Sequence, residues 1–283
     1  MTTFTDEIKY EIKNKMFMKL IFINIGVFIL IQFLNVITRL SGINFETIYI
    51  NFFTLKTNFN EFISSPWGLF TSIFCHFDIF HLLFNMLFLY FIGKLAEFYL
   101  GGKSVFTLYL FGGIFGGIVE IINHSIFDNL IFINSNVVGA SGSIMSIFIA
   151  IAIYKPKTDV SLYGIFNIKI IWLAVIYFLL DLIKIGKPDG IAHLAHIGGA
   201  ICGYLLITNR SFLNKLNSFF TYQPKQKLKV KHGGRPLSDE DFNLIKLQNE
   251  EKTNKILEKI SKSGYESLTK AEKEFLFKQS KNG

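Results

Sequence analysis

Charge is scarce in this chain: Asp, Glu, Lys and Arg make up only 18% of its 283 residues, against about a quarter in ordinary soluble domains. Proline is also rare, with five residues, so little interrupts long helices. Cysteine numbers two, Cys75 and Cys202. Two thiols far apart in apolar surroundings exclude a disulfide framework and any thiolate metal motif; they read as small packing residues. What the chain has in quantity is apolar surface. Hydrophobic residues make up 51%, including 32 Phe, and the mean hydropathy is +0.40. Long apolar runs separated by polar patches indicate a polytopic membrane protein. The net charge of +8 does not point to nucleic acid, because most of the excess lies after Thr208. Basic residues beside a membrane set orientation instead.

Residues Asp6, Glu7, Lys9, Glu11, Lys13 and Lys15 precede an apolar run that reaches Ile37. The run is longer than a signal-peptide core and no small-x-small site follows, so it reads as an anchor that stays in the membrane. Six spans of about 20 residues are expected, at 16–37, 79–99, 104–123, 137–154, 168–184 and 190–208. The third carries Gly112, Gly113, Gly116 and Gly117, a face for close helix packing. Between the first two spans, residues 38–78 contain Pro66-Trp67-Gly68 and read as an interfacial loop. The expected fold class is therefore all-α, a polytopic membrane bundle of six transmembrane helices with a small cytoplasmic helical tail. Its parts are an N-terminal segment (1–15), the membrane domain (16–208), a basic linker (209–235) and a helical appendage (236–283).

Lys9, Lys13, Lys15, Lys19, Lys103, Lys155, Lys157, Arg210 and Lys215 all fall on one side of a six-span bundle, which puts both termini in the cytoplasm. Lys184 and Lys187 oppose this and are outnumbered. In the tail, Lys225, Lys227, Lys229 and Lys231 form a basic stretch able to meet anionic lipid headgroups or to act as a solvated tether. Ser238 is a helix N-cap candidate, followed by apolar Phe242, Ile245, Ile256, Leu257 and Ile260. Ser263-Gly264 ends that helix, and Thr269 with Glu272 starts another.

Polar residues inside spans are rare and often functional. Here they are His81 and Asn85 in span two, Ser141, Ser143 and Ser146 in span four, Asp181 in span five, and His193 and His196 in span six. Glu97 and Glu120 read as snorkelling near span ends. Spans two, four and six run in the same direction. His81, Asn85, Ser141, His193 and His196 all lie early in them, roughly 3–10 Å below their outer ends. His196 shares a helix face with Gly199, which lies four residues before Gly203. That smooth face could press on Gly139-Ala140-Ser141-Gly142 and bring an imidazole to a hydroxyl, the pairing of base and nucleophile. Asn85, His81 and the free N–H groups of a first helical turn could hold an oxyanion. No acid is obviously placed to complete a triad; Asp181, near the outer end of span five, is the only candidate, and it reads rather as a cap or a partner of Lys184. His193 reads as capping or cavity-lining, and His76 as structural.

These residues resemble the rhomboid intramembrane serine proteases. The matching elements are His76 through His81 to Asn85 (H-x(4)-H-x(3)-N), Gly139-Ala140-Ser141-Gly142 (GxSG), and Ala195-His196 with Gly199 and Gly203 (AHxxGxxxG), with Glu97 before Leu100-Gly101 as an acidic turn. The resemblance covers about residues 15–208. It implies a Ser141–His196 catalytic dyad in a water-accessible cavity. Asn85, His81 and the Ser141 amide would hold the oxyanion, and Gly139, Ala140 and Gly142 would line the substrate backbone. The expected substrates are transmembrane proteins cut near the outer face of a bacterial cell membrane, and no cofactor or metal is expected. Span five and the loop after it would form a gate. Two residues depart from the family: Gly68 stands where arginine is frequent and would weaken the first loop's anchoring, and Met145 stands where some members carry an aromatic and would soften support for His196. Two further readings stay open. One is a catalytically silent rhomboid-like membrane chaperone. The other is an intramembrane metal protein built on His76, His81, His193 and His196, against which stand the missing HExxH and the lack of carboxylates in that layer.

Overall fold

The computed structural model describes residues 10–127, 136–162, 166–187, 189–220 and 239–280. The chain divides into two compact units, Met1–Tyr222 and Gln223–Gly283. The tail lysines 225–231 and Ser238 lie outside the described residues, as do the side chains of Phe242 and Ile245.

The first unit is a helical membrane bundle. Its long apolar helices are α1 (Met16–Leu40), α5 (Ile79–Leu100) and α6 (Gly102–Phe127); three shorter ones are α7 (Ser141–Tyr154), α8 (Ile170–Ile183) and α9 (His193–Thr208). The first three are long and apolar enough to cross a membrane. Between α1 and α5 the chain folds into short helices α2 (Phe45–Phe53), α3 (Phe59–Ser64) and α4 (Gly68–Thr71). Gly68 is buried there: a Cβ on it would meet the Thr54 carbonyl, with Leu55 Cα 3.2 Å away. Close backbone approach therefore anchors this loop, and it leaves no room for an arginine side chain.

α7 is the hub. Every residue from Gly142 to Phe148, Met145 included, is buried, and α5, α6, α8 and α9 all pack on it. Outward faces are the reverse. On α5, Phe80, Phe84, Phe91 and Phe98 are all more than 60% exposed and form an apolar surface suited to lipid. The packing faces of α6 are glycine, as expected. A Cβ on Gly112 would strike Ser146, and one on Gly116 would lie 2.5 Å from the Ala195 carbonyl. A buried polar knot ties α1 to α6: Asn24 donates to the Tyr109 hydroxyl (2.9 Å), which donates to the Ile73 carbonyl (2.8 Å).

Several boundaries differ from the sequence expectation. Val137 is not helical. It belongs to β2 (Asn136–Val137), paired antiparallel with β1 (Leu55–Lys56), because Gly139, at φ +128°, breaks any helix running back from Ser141. The segment before α8 is a hairpin of β3 (Asp159–Leu162) and β4 (Phe166–Lys169), with Lys169 on Asp159 at 2.7 Å. Gly190 at φ +78° delays the start of α9 to His193. Within the stretch expected as a basic linker, α10 (Arg210–Phe219) is helical and buries Leu213.

In the second unit, α11 (Asp239–Ser263) ends before Gly264 at φ +78°, and α12 (Lys270–Ser280) follows. Thr269 and Glu272 form the expected capping box, with Thr269 N–H on Glu272 Oε2 at 2.7 Å. Ile256 and Leu268 are buried, and Lys259 of α11 pairs with Glu272 at 3.0 Å.

Candidate active site

The GxSG residues lie where a loop becomes a helix. Gly139 N–H donates to the Ser72 carbonyl (3.0 Å), fixing the approach, and α7 begins at Ser141. Its N-cap is Ala140, which has no side-chain acceptor. The N–H groups of the first turn are therefore not closed by a cap and remain as donors. Gly139 has no room for a side chain: a Cβ would lie 2.8 Å from His81 Nε2 and 3.8 Å from Ser141 Oγ. The imidazole of α5 and the hydroxyl of α7 thus border one small space.

α9 reaches α7 backbone to backbone. A Cβ on Gly199 would fall on the Gly142 carbonyl, and one on Gly203 on the Ser146 carbonyl. A Cβ on Gly142 would be 3.0 Å from the Ala195 carbonyl. These contacts bring the start of α7, which carries Ser141, against the start of α9, which carries His196. Among the described residues no hydrogen bond joins Ser141 Oγ to His196, whose Nδ1 is engaged elsewhere. Such bonds often tighten only with substrate. Asn85 is buried and donates to the His81 carbonyl at 3.0 Å, which leaves its second N–H available. His76 is fully buried, edge-on to His81 at 5.0 Å.

Two acids stand elsewhere than expected. Asp181 does not pair with Lys184 through its side chain; only its backbone carbonyl meets the Lys184 N–H (3.2 Å). Its Oδ1 instead lies 2.7 Å from His193 Nδ1 and 3.0 Å from His196 Nδ1. The reason is rotational. The buried residues of α8 are Ile170, Ala174 and Asp181, all on its inward stripe. Nor does Glu120 snorkel. It is buried seven residues inside the end of α6 and accepts from Ala195 N–H at 3.0 Å, serving as an N-terminal cap delivered to α9 from another helix. Sequence reasoning named Asp181 as the only candidate acid but favoured another partner for it, and it placed Glu120 at a span end. The available signal was a single acid on an otherwise apolar helix, which is costly in lipid unless paired. Glu97 likewise accepts from Phe17 N–H at 3.0 Å, at the start of α1.

His193 is held at both ring nitrogens, with Asp189 Oδ2 3.1 Å from Nε2. Partial burial raises the Asp189 carboxyl, but hydrogen bonds from His193 and the Ile191 N–H outweigh it and hold the group below its ordinary range. Asp181, His193 and His196 have ligand atoms within 4.8 Å of one another, a spacing that could hold a metal ion. His76 and His81 do not join that group among the described residues. Both imidazoles meet Asp181 Oδ1, while its Oδ2 is buried with no hydrogen-bond partner among the described residues.

Comparison with known proteins places these features in context. A family model described as Rhomboid domain matches residues 64–211, and a family of unknown function matches residues 238–282. RHOMBOID-like protein 1 of Arabidopsis thaliana is 32% identical over 140 residues, 50% of this chain and 33% of its own length. RHOMBOID-like protein 4 of the same plant is 32% identical over 149 residues, again 50% and 33%. Rhomboid protease GlpG of Yersinia pestis is 26% identical over 161 residues, 56% of this chain and 51% of its own length. The chain thus spans between a third and about half of the curated relatives it matches.

Proposed function

Because the chain belongs to the rhomboid family, we propose that it is an intramembrane serine endopeptidase, cutting transmembrane segments of other membrane proteins near the outer face. The observation that best supports this is the backbone contact of Gly142 with Gly199 and Ala195, which packs the first turns of the helices carrying Ser141 and His196 together. In this reading Ser141 Oγ attacks the scissile carbonyl while His196 takes its proton, then returns it to the leaving amine. Asn85, His81 and the N–H of Ser141 stabilise the oxyanion. The small residues Gly139, Ala140 and Gly142 admit the substrate backbone. Water then hydrolyses the acyl-enzyme. No cofactor enters these steps.

The same reading places the protein in a bacterial cell membrane among lipids, with both termini cytoplasmic on the lysine distribution. Residues 16–208 carry the chemistry and 236–283 form an appendage. The test is cleavage of a model transmembrane substrate by purified protein in liposomes, with Ser141→Ala and His196→Ala beside it. Loss of cleavage in both variants is the expected result. Equal cleavage by wild type and Ser141→Ala refutes the mechanism, and an inert wild type favours a silent, chaperone-like rhomboid. The close grouping of Asp181, His193 and His196 favours a metal protein as the second reading. That reading requires EDTA to abolish activity and zinc to restore it.

A further inference from the structure

We propose that Asp181 is a positioning residue for His196, holding its ring with the proton on Nδ1 and the lone pair on Nε2, the form able to take the Ser141 proton. This rests on the protease reading above. α8 is otherwise almost wholly apolar and outward-facing: Trp172, Ile176, Leu180 and Ile183 are each more than 45% exposed. An acid on such a helix is costly in lipid unless paired. Asp181 is turned inward, 4% exposed, with both nearby imidazoles on one oxygen.

The hydrogen bonds fix the tautomers. An ionised carboxylate only accepts, so both histidines donate to it from Nδ1. His193 also faces Asp189 with Nε2 at 3.1 Å. His196 has a carboxylate at Nδ1 alone, so with its proton there the ring leaves Nε2 as the acceptor. When the Ser141 proton passes to Nε2, the hydroxyl oxygen bonds to the scissile carbon and the carbonyl π pair moves to oxygen, and the imidazolium so formed pairs with the Asp181 carboxylate. Asp181 keeps its charge throughout and takes no proton. Glu120, the other buried acid nearby, is engaged by Ala195 N–H and is not an alternative partner.

The test uses the full-length protein in liposomes. Asp181→Asn is expected to lower kcat about 10²-fold or more with KM within about twofold, and to slow fluorophosphonate labelling of Ser141 in proportion. Asp181→Glu, which restores a carboxylate, is expected to recover part of kcat. Wild-type protein labelled with nitrogen-15 histidine gives a measurement independent of any variant's folding. The His196 resonances, assigned by their loss in His196→Ala, should show a protonated Nδ1 and a bare Nε2. A proton on Nε2 in the resting enzyme overturns the assignment. So does a kcat for Asp181→Asn within threefold of wild type while Ser141→Ala and His196→Ala are inert. Should those two variants cleave normally, it is the protease reading that fails.

Discussion

Gly199 of α9 rests on the carbonyl oxygen of Gly142 in α7, with no space for even a methyl group between them. The helices carrying His196 and Ser141 are therefore spaced by their backbones, and side chains cannot adjust that spacing. Gly199→Ala is expected to destabilise the bundle by about 1–3 kcal/mol, as overpacking does, and to abolish cleavage even in the folded fraction. Thermal unfolding in detergent alongside a cleavage assay separates the two effects.

Asn85 donates one N–H to the His81 carbonyl of its own helix and keeps the other. Asn85→Ala is expected to cut kcat about 10²- to 10³-fold, the usual loss for one oxyanion donor. Fluorophosphonate labelling and cleavage should fall together, with the unfolding temperature little changed.

Glu120 is the acceptor for the buried Ala195 N–H. Glu120→Ala leaves that donor unpaired and is expected to cost about 1–3 kcal/mol. Glu120→Gln keeps an acceptor and should cost less. Because Ala195 adjoins His196, activity in the alanine variant should fall more steeply with temperature than in wild type.

In the tail, hydrogen bonds from the Thr269 N–H and hydroxyl, then from Lys259, pull the Glu272 carboxyl from 4.5 down to about 2. The folded value lies below the unfolded one. The contribution of this group is therefore complete above about pH 4.5 and is lost as pH falls through about 2. A carbon-13 titration of Glu272 should show the depressed midpoint, and Thr269→Ala should raise it.

The sequence reading singled out Ser141, His196, His81 and Asn85 as candidates because each lies early in an apolar run. Depth along a helix follows from counting residues. It reached Gly199 and Gly203 because small residues at helical spacing mark close contact. It did not reach the Asp181 contacts, because those depend on how α8 is rotated about its axis. On a helix apolar all round, periodicity carries no information about rotation. It likewise placed Glu120 by nearness to a span end, whereas α6 continues to Phe127 and draws the carboxylate inside. The two strand pairs escaped notice because each strand has four residues or fewer, too short for alternation to register.

The long helices and the short ones also meet the lipid differently. At 14 residues, α8 is about 21 Å long, against a hydrocarbon layer of about 30 Å. α5, with 22 residues, is long enough to match that layer. The outward face of α8 therefore offers the bilayer a hydrophobic wall too short for it, while α5 does not. Lipid beside α8 must thin or tilt to cover the mismatch. The first unit is therefore uneven in its demand on the membrane, with a short lipid-facing wall on the flank where Asp181 is buried.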